Sequence, residues 1–152
     1  MSIPERWKRH KPLPANIEER LQSLAPLLEK KGVLLAYLFG SLAAKGEKAP
    51  RAPGDVDLAV LTEERPAWEL QEELVECLGT DRLDLVDLRT ASPVLRFEIL
   101  RGGRPIYISD EEIRERYEME TLHLYQDTEP MRRRQRQALK ERMVAWRLKE
   151  TL

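Results

Sequence analysis

Two aspartates, Asp55 and Asp57, stand one residue apart at the head of a strand-like segment that runs to Leu61. Alternate side chains of a strand share a face, so the two carboxylates emerge together, roughly 6.5–7 Å apart along the chain. Like charges held this way repel unless a cation lies between them. A divalent metal carrying a polyphosphate is the most economical reason to place them there. Upstream, the apolar run Val33 to Phe39 ends in Gly40-Ser41. Glycine at such a turn lets backbone approach a phosphate closely, exposed N–H groups favour anions, and the serine hydroxyl adds a donor. Each signal alone has an ordinary explanation, a tight turn for Gly-Ser and a solvated strand end for Asp-x-Asp. Leu58 to Leu61 is strongly apolar, however, which predicts a central strand with its carboxylates at one end.

A third strand, over Arg82 to Leu88, offers two more aspartates on opposite faces. Asp84 shares its face with Val86 and Leu88, and Asp87 shares the other with Leu83 and Leu85. Either one completes a three-carboxylate site if this strand lies beside Asp55–Leu61. Nucleotidyl transfer uses such a third carboxylate to hold a second metal or to take a proton from the attacking hydroxyl.

The elements that must position these residues follow from periodicity. Residues 1–15 hold three prolines and a basic cluster, which predicts an irregular N-terminal arm. Asn16 with Glu19 reads as a capping pair for a helix through Ile17, Leu21, Leu24, Leu27 and Leu28, kinked or split at Pro26 and ended by Gly32. Val33 to Phe39 is a continuous apolar strand of the kind covered on both faces. The segment Gly46 to Gly54, with Pro50 and Pro53, reads as a loop. Pro66 marks the first residue of a helix through Leu74 and Leu78 that Gly79 stops. On it, Cys77 reads as core filler. Ser92-Pro93 opens another helix, terminated by Gly102-Gly103. Pro105 to Ile108 is a short strand placed at an edge by its proline. Ser109 with Glu112 caps a helix to about Gln126, and a last helix runs from Met131 to about Glu150. Helix–strand alternation predicts an α/β (α+β) fold, a short mixed sheet flanked by helices. The core spans 16–109, and a C-terminal helical extension occupies 110–152.

Composition narrows the class. The 152 residues fit one domain with a real core. A net charge of -1 argues against a globally basic nucleic-acid binder. A single cysteine forms no intramolecular disulfide, so a reducing cytoplasm is the default. No apolar run approaches the roughly 20 residues that span a bilayer, and the basic N-terminus lacks the apolar core of a signal peptide.

The pattern Gly40-Ser41, Asp55-x-Asp57, Asp84 resembles the nucleotidyltransferases of the DNA polymerase beta superfamily, and more narrowly the minimal nucleotidyltransferase antitoxins paired with HEPN-domain toxins. The resemblance extends through Asp84 to Leu88, Ser92 to Leu100, Gly103 to Tyr107 and Tyr125-Gln126-Asp127 into the basic tail. It implies a nucleotidyltransferase fold in which Gly40 and Ser41 hold the nucleotide phosphates and Asp55 and Asp57 bind Mg²⁺. Asp84 is the third carboxylate, preferred to Asp87 because the family's catalytic residue is the first aspartate of that strand. The implied reaction transfers AMP from ATP to a tyrosine of a cognate HEPN ribonuclease toxin. One departure concerns the 13 residues between Ser41 and Asp55, where the antitoxin group usually has a shorter loop.

Two other function classes fit parts of the pattern: a non-catalytic antitoxin that masks its toxin by binding, and a small-molecule nucleotidyltransferase. The second lacks a substrate domain. Arg116, His123 and Tyr125 resemble the signature of the HEPN ribonucleases, but those are all-helical, and here the pattern follows a strand-rich core. The last helix places Leu139, Met143 and Trp146 at i, i+4 and i+7 among arginines and lysines. That stripe suits a partner protein or packing on its own domain, with nucleic acid less favoured.

Overall fold

The computed structural model describes residues 13–43 and 54–150. Its centre is a four-stranded mixed sheet in the order β3-β2-β1-β4, built from β1 (Val33–Phe39), β2 (Val56–Thr62), β3 (Leu83–Asp87) and β4 (Arg104–Ile108). β1 runs antiparallel to both β2 and β4, and β2 runs parallel to β3. As its proline requires, β4 is an edge strand.

One face of the sheet carries Ala36, Leu38, Val56, Leu58 and Val60. It packs on α1 (Ile17–Gln22), α2 (Ala25–Lys30), a 3₁₀ turn at Ala67–Leu70 and α3 (Gln71–Leu78). Leu21, Leu24 and Leu28 supply the helical side of this layer and are buried. Each such leucine stabilises the fold by about 2 kcal/mol relative to exposure. The other face carries Leu35, Tyr37, Ala59 and Leu88 and packs on Ile99 of α4 (Pro93–Gly102) and on Ile113 and Tyr117 of α5 (Glu111–Asp127). Two buried phenols pin α5 to this face. The Tyr37 hydroxyl donates to Glu118 Oε1 at 3.0 Å, and the Tyr117 hydroxyl donates to the Leu88 carbonyl at 3.1 Å. Burial pushes the Tyr117 hydroxyl up to about 12.

Beyond Thr128 the chain continues as α6 (Glu129–Glu150), in which no residue is buried. Its base is fixed by a stack. Phe97 and Tyr125 lie face to face with centroids 3.8 Å apart, and the Arg132 guanidinium covers the Tyr125 ring at 3.8 Å. Arg132 also donates to Thr128 Oγ1 at 2.8 Å and pairs with Glu129 at 2.8 Å. Among the described residues no helix is long and apolar enough to cross a membrane.

Several helix starts differ from expectation. Asn16 makes no capping hydrogen bond; its Oδ1 instead accepts from Arg20 Nε at 3.0 Å. Pro66 is extended and precedes the 3₁₀ turn, so α3 begins five residues later. The cap of α5 is Asp110, one position past Ser109, and its carboxylate accepts from the Glu112 N–H at 2.9 Å. An ionised side chain in extended backbone outcompetes the neighbouring hydroxyl there. Pro130 sits in the first turn of α6, where its missing N–H costs nothing, so the interruption between the last two helices shrinks to Thr128. Cys77 is exposed, because the buried line of α3 is Leu74 and Leu78 and the cysteine falls about 100° away from Leu78. Pro26 does split the first helical segment, into α1 and α2. The expected arm up to residue 12 and residues 46–53 of the expected loop lie outside the described residues.

Candidate active site

The strand pairing decides which side chains meet. β1 ends opposite β2 with Phe39 paired to Asp57, and Asp57 is in turn paired with Asp84 across the parallel β2–β3 ladder. Three strand ends therefore bring Gly40, Asp57 and Asp84 to one end of the sheet, on the face that also carries Leu35, Tyr37 and Ala59. Asp55 precedes β2 by one residue.

Gly40 has φ +72°, in the left-handed region, and opens a 3₁₀ turn over Gly40–Leu42. A Cβ at this position would stand 2.0 Å from Asp57 Oδ2 and 2.9 Å from its Cγ. Glycine is thus required twice, for the backbone conformation and because the Asp57 carboxylate occupies the space beside it. The Gly-Ser turn and the aspartate pair, read separately in the sequence, are one packed unit.

Burial pushes the Asp57 carboxyl up to about 6, and the charges of Asp84 and then Asp55 add to that shift. Among the described residues none of these three carboxylates has a hydrogen-bonding or cationic partner. Asp55 and Asp84 are exposed, so the site opens to solvent. An uncompensated acidic cluster against a tight glycine turn suits a hard cation. Among the described residues no three acidic, imidazole or thiol groups converge tightly enough to hold an ion by themselves. Mg²⁺ does not require that, since it keeps waters and shares one or two carboxylates with substrate phosphates. The donor set fits.

Asp87 belongs to the other face and is already employed. Its Oδ2 accepts from the Ala67 N–H at 3.1 Å, and its Oδ1 from the Arg89 N–H at 2.9 Å. It holds the 3₁₀ turn and the β3–α4 turn in place. Replacing Asp87 by alanine leaves two backbone donors without that acceptor and is expected to cost about 1–3 kcal/mol of stability. Chemical denaturation of the Asp87→Ala protein beside wild type measures that loss.

Gly103 was read in the sequence as a helix terminator and as the start of one segment of the family resemblance, with no contact assigned to it. A Cβ there would lie 2.5 Å from the Ile99 carbonyl oxygen and 2.8 Å from that of Leu38. It lets the α4–β4 junction seat against the end of β1, next to the Gly40 turn. The sequence signal was present but ambiguous, since any helix-ending glycine looks the same. The Arg116–His123–Tyr125 pattern is not assembled as a site. His123 is exposed, and Tyr125 is committed to the stack with Phe97 and Arg132. The cleft of about 380 Å³ lined by Arg89, Arg96, Arg116 and Tyr117 opens where β2 and β3 end, not where the aspartates stand.

The sequence matches the polymerase beta nucleotidyltransferase family over residues 22–112, a span that holds Gly40, Ser41, Asp55, Asp57 and Asp84. Protein adenylyltransferase MntA of Shewanella oneidensis is 33% identical over 96 residues, which cover 60% of this chain and 66% of that protein, just under two thirds of its length. Two solved structures are similar. One is the tri-AMPylated Shewanella oneidensis HEPN toxin in complex with MNT antitoxin, with a TM-score of 0.60 at 27% identity over 84% of this chain and 98% of that chain. The other is a toxin–antitoxin structure with AMP-PNP, with a TM-score of 0.58 at 28% identity over 82% and 98%.

Proposed function

Because the chain belongs to the polymerase beta nucleotidyltransferase family, we propose that it is a Mg²⁺-dependent protein adenylyltransferase. In this reading it acts as an antitoxin, moving AMP from ATP to a tyrosine of a cognate HEPN ribonuclease toxin. The names of its relatives support a HEPN toxin as the protein modified and as the partner, and the tyrosine follows from the family resemblance. The observation that carries the reading is the Asp57 carboxylate wedged against Gly40 and paired in register with Asp84.

Gly40 and Ser41 would bind the ATP phosphates through turn N–H groups and the serine hydroxyl. Asp55 and Asp57 would hold Mg²⁺, which when bound neutralises phosphate charge and polarises the α-phosphoryl group. The acceptor tyrosine oxygen attacks the α-phosphorus in line, the bond to the β-phosphate bridging oxygen breaks, and pyrophosphate leaves. Asp84, exposed on the strand beside Asp57, would accept the tyrosine proton. The chain's contribution is then chiefly positioning and a preformed anionic pocket for the metal. The exposed thiol of Cys77 and the absence of a second cysteine support work in the reducing cytoplasm.

Titrating the protein with ATP in a calorimeter tests the site alone. Saturable binding that requires Mg²⁺ is expected. It should weaken about tenfold for each pH unit below about 6, where Asp57 takes up the proton that competes with the metal. Equal binding in EDTA and across pH 5–8 would rule out the aspartates as the metal site.

A further inference from the structure

A 22-residue helix that leaves the body with nothing buried is an unusual structure, because most helical stability in proteins comes from packing one face. In α6 Leu139, Met143 and Trp146 are 58%, 51% and 65% exposed. At 3.6 residues per turn they fall within about 60° of one another and form one stripe, with Val144 and Leu148 turned to the far side. Arg142 and Lys149 border the stripe on one side, and Lys140 and Arg147 on the other. Glu141 points away, and Glu150 falls in line with the stripe at its C-terminal end, beyond Trp146.

We propose that this stripe is a docking surface for a separate protein bearing an apolar groove with an acidic rim, and that the protein is the HEPN toxin. The identity of that partner rests on the function proposed above.

The chemistry on the helix selects this occupant. Tryptophan, methionine and arginine are the residue types that concentrate at the centres of protein interfaces. A polyanion alone, such as RNA, would satisfy the rim and leave Leu139, Met143 and Trp146 in water. A second α6 would bring like charges together, since the helix carries eight basic and three acidic residues. The two longest segments outside the described residues, 1–12 and 44–53, are both net basic and match the rim no better. The Phe97–Tyr125–Arg132 stack fixes the angle at which the helix leaves the body, so the stripe is presented in one orientation rather than on a loose tether.

The test titrates full-length wild type, Met143→Glu/Trp146→Glu and the far-side control Ala145→Glu against the purified cognate toxin, with Mg-ATP titrated in parallel. The stripe variant should lose at least about thirtyfold in toxin affinity, the usual consequence of removing two central anchors. The control should stay within about threefold of wild type. Mg-ATP affinity and helix content should not change in either variant, which separates lost docking from lost folding. Arg142→Glu/Lys149→Glu should slow association at low salt, as expected if the facing rim is acidic.

Unchanged toxin affinity in the stripe variant would overturn the proposal while leaving the adenylyltransferase reading intact. A wild-type dimer that the variant dissociates, or RNA binding that it abolishes, would overturn it in favour of those occupants. Wild type that neither binds nor modifies the toxin would sink both readings. An Asp57→Asn protein that binds toxin normally without modifying it would show that docking and chemistry are separate.

Discussion

Replacing Asp57 by asparagine is expected to abolish nucleotide transfer, by at least about a thousandfold, and yet to stabilise the unliganded protein. The first effect follows from removing one proposed metal ligand from the trio, which leaves the cation with Asp55 and Asp84 alone. The second follows from the same crowding. Burial and the charges of Asp84 and Asp55 raise the Asp57 carboxyl from 3.8 to about 6 in the folded chain. A carboxyl raised on folding contributes stability below its unfolded value, and that contribution disappears as pH rises through its folded value. At pH 7.5 the wild type therefore carries the cost of an ionised Asp57, about 1 kcal/mol once solvent screening of a partly exposed group is allowed for. Asparagine removes it, and Tm should rise by about 2–4 °C. The gap between the two proteins should close near pH 4, and thermal scans across pH measure it directly. Saturating Mg-ATP should narrow or reverse the gap at neutral pH, because it stabilises only the protein that binds it. A site that is strained when empty and relieved by its ligand is the common exchange of stability for function.

Substituting Gly40 by alanine should be nearly as damaging to transfer, for a geometric reason. The new methyl meets the Asp57 carboxylate at 2.0 Å in a backbone conformation that already disfavours a side chain. Either the turn or the carboxylate must move, and misplacement by about 1 Å costs on the order of a hundredfold in rate. Gly32 provides the control. It has φ +74°, almost the same as Gly40, with nothing within 4 Å of its added Cβ. Gly32→Ala should therefore show the conformational cost alone, about 1–2 kcal/mol, with transfer per folded molecule unchanged. If both alanine variants lose transfer alike, contact with Asp57 is not what makes Gly40 necessary.

The parts of this arrangement legible in the sequence were those fixed by local rules. The apolar run from Val33 to Phe39, the punctuation at Gly40-Ser41 and the alternation after Asp55 determine strand positions and the faces on which side chains emerge. The same alternation left Asp84 and Asp87 open, because it states that they face opposite ways and not which face meets β2. The parallel register that pairs Asp57 with Asp84 settles their placement, and it is a long-range property. The contact between Gly40 and Asp57 was hidden for the same reason, since 17 positions of chain separate two residues that share one volume. Helix starts failed where two polar residues competed for one role, as at Ser109 and Asp110, or where an arginine claimed the cap, as at Asn16. The stack that aims α6 joins residues from three helices, and no periodicity announces it.

The most direct measurement of the central claim uses labelled ATP, Mg²⁺ and the cognate HEPN toxin. They are incubated with wild type and with Asp55→Ala/Asp57→Ala protein, and toxin labelling and residual toxin ribonuclease activity are followed together. Wild type should place AMP on a toxin tyrosine and silence the toxin, and the double variant should do neither. A toxin that gains no AMP, yet is neutralised equally by both proteins, would contradict the account and leave an antitoxin that works by binding alone.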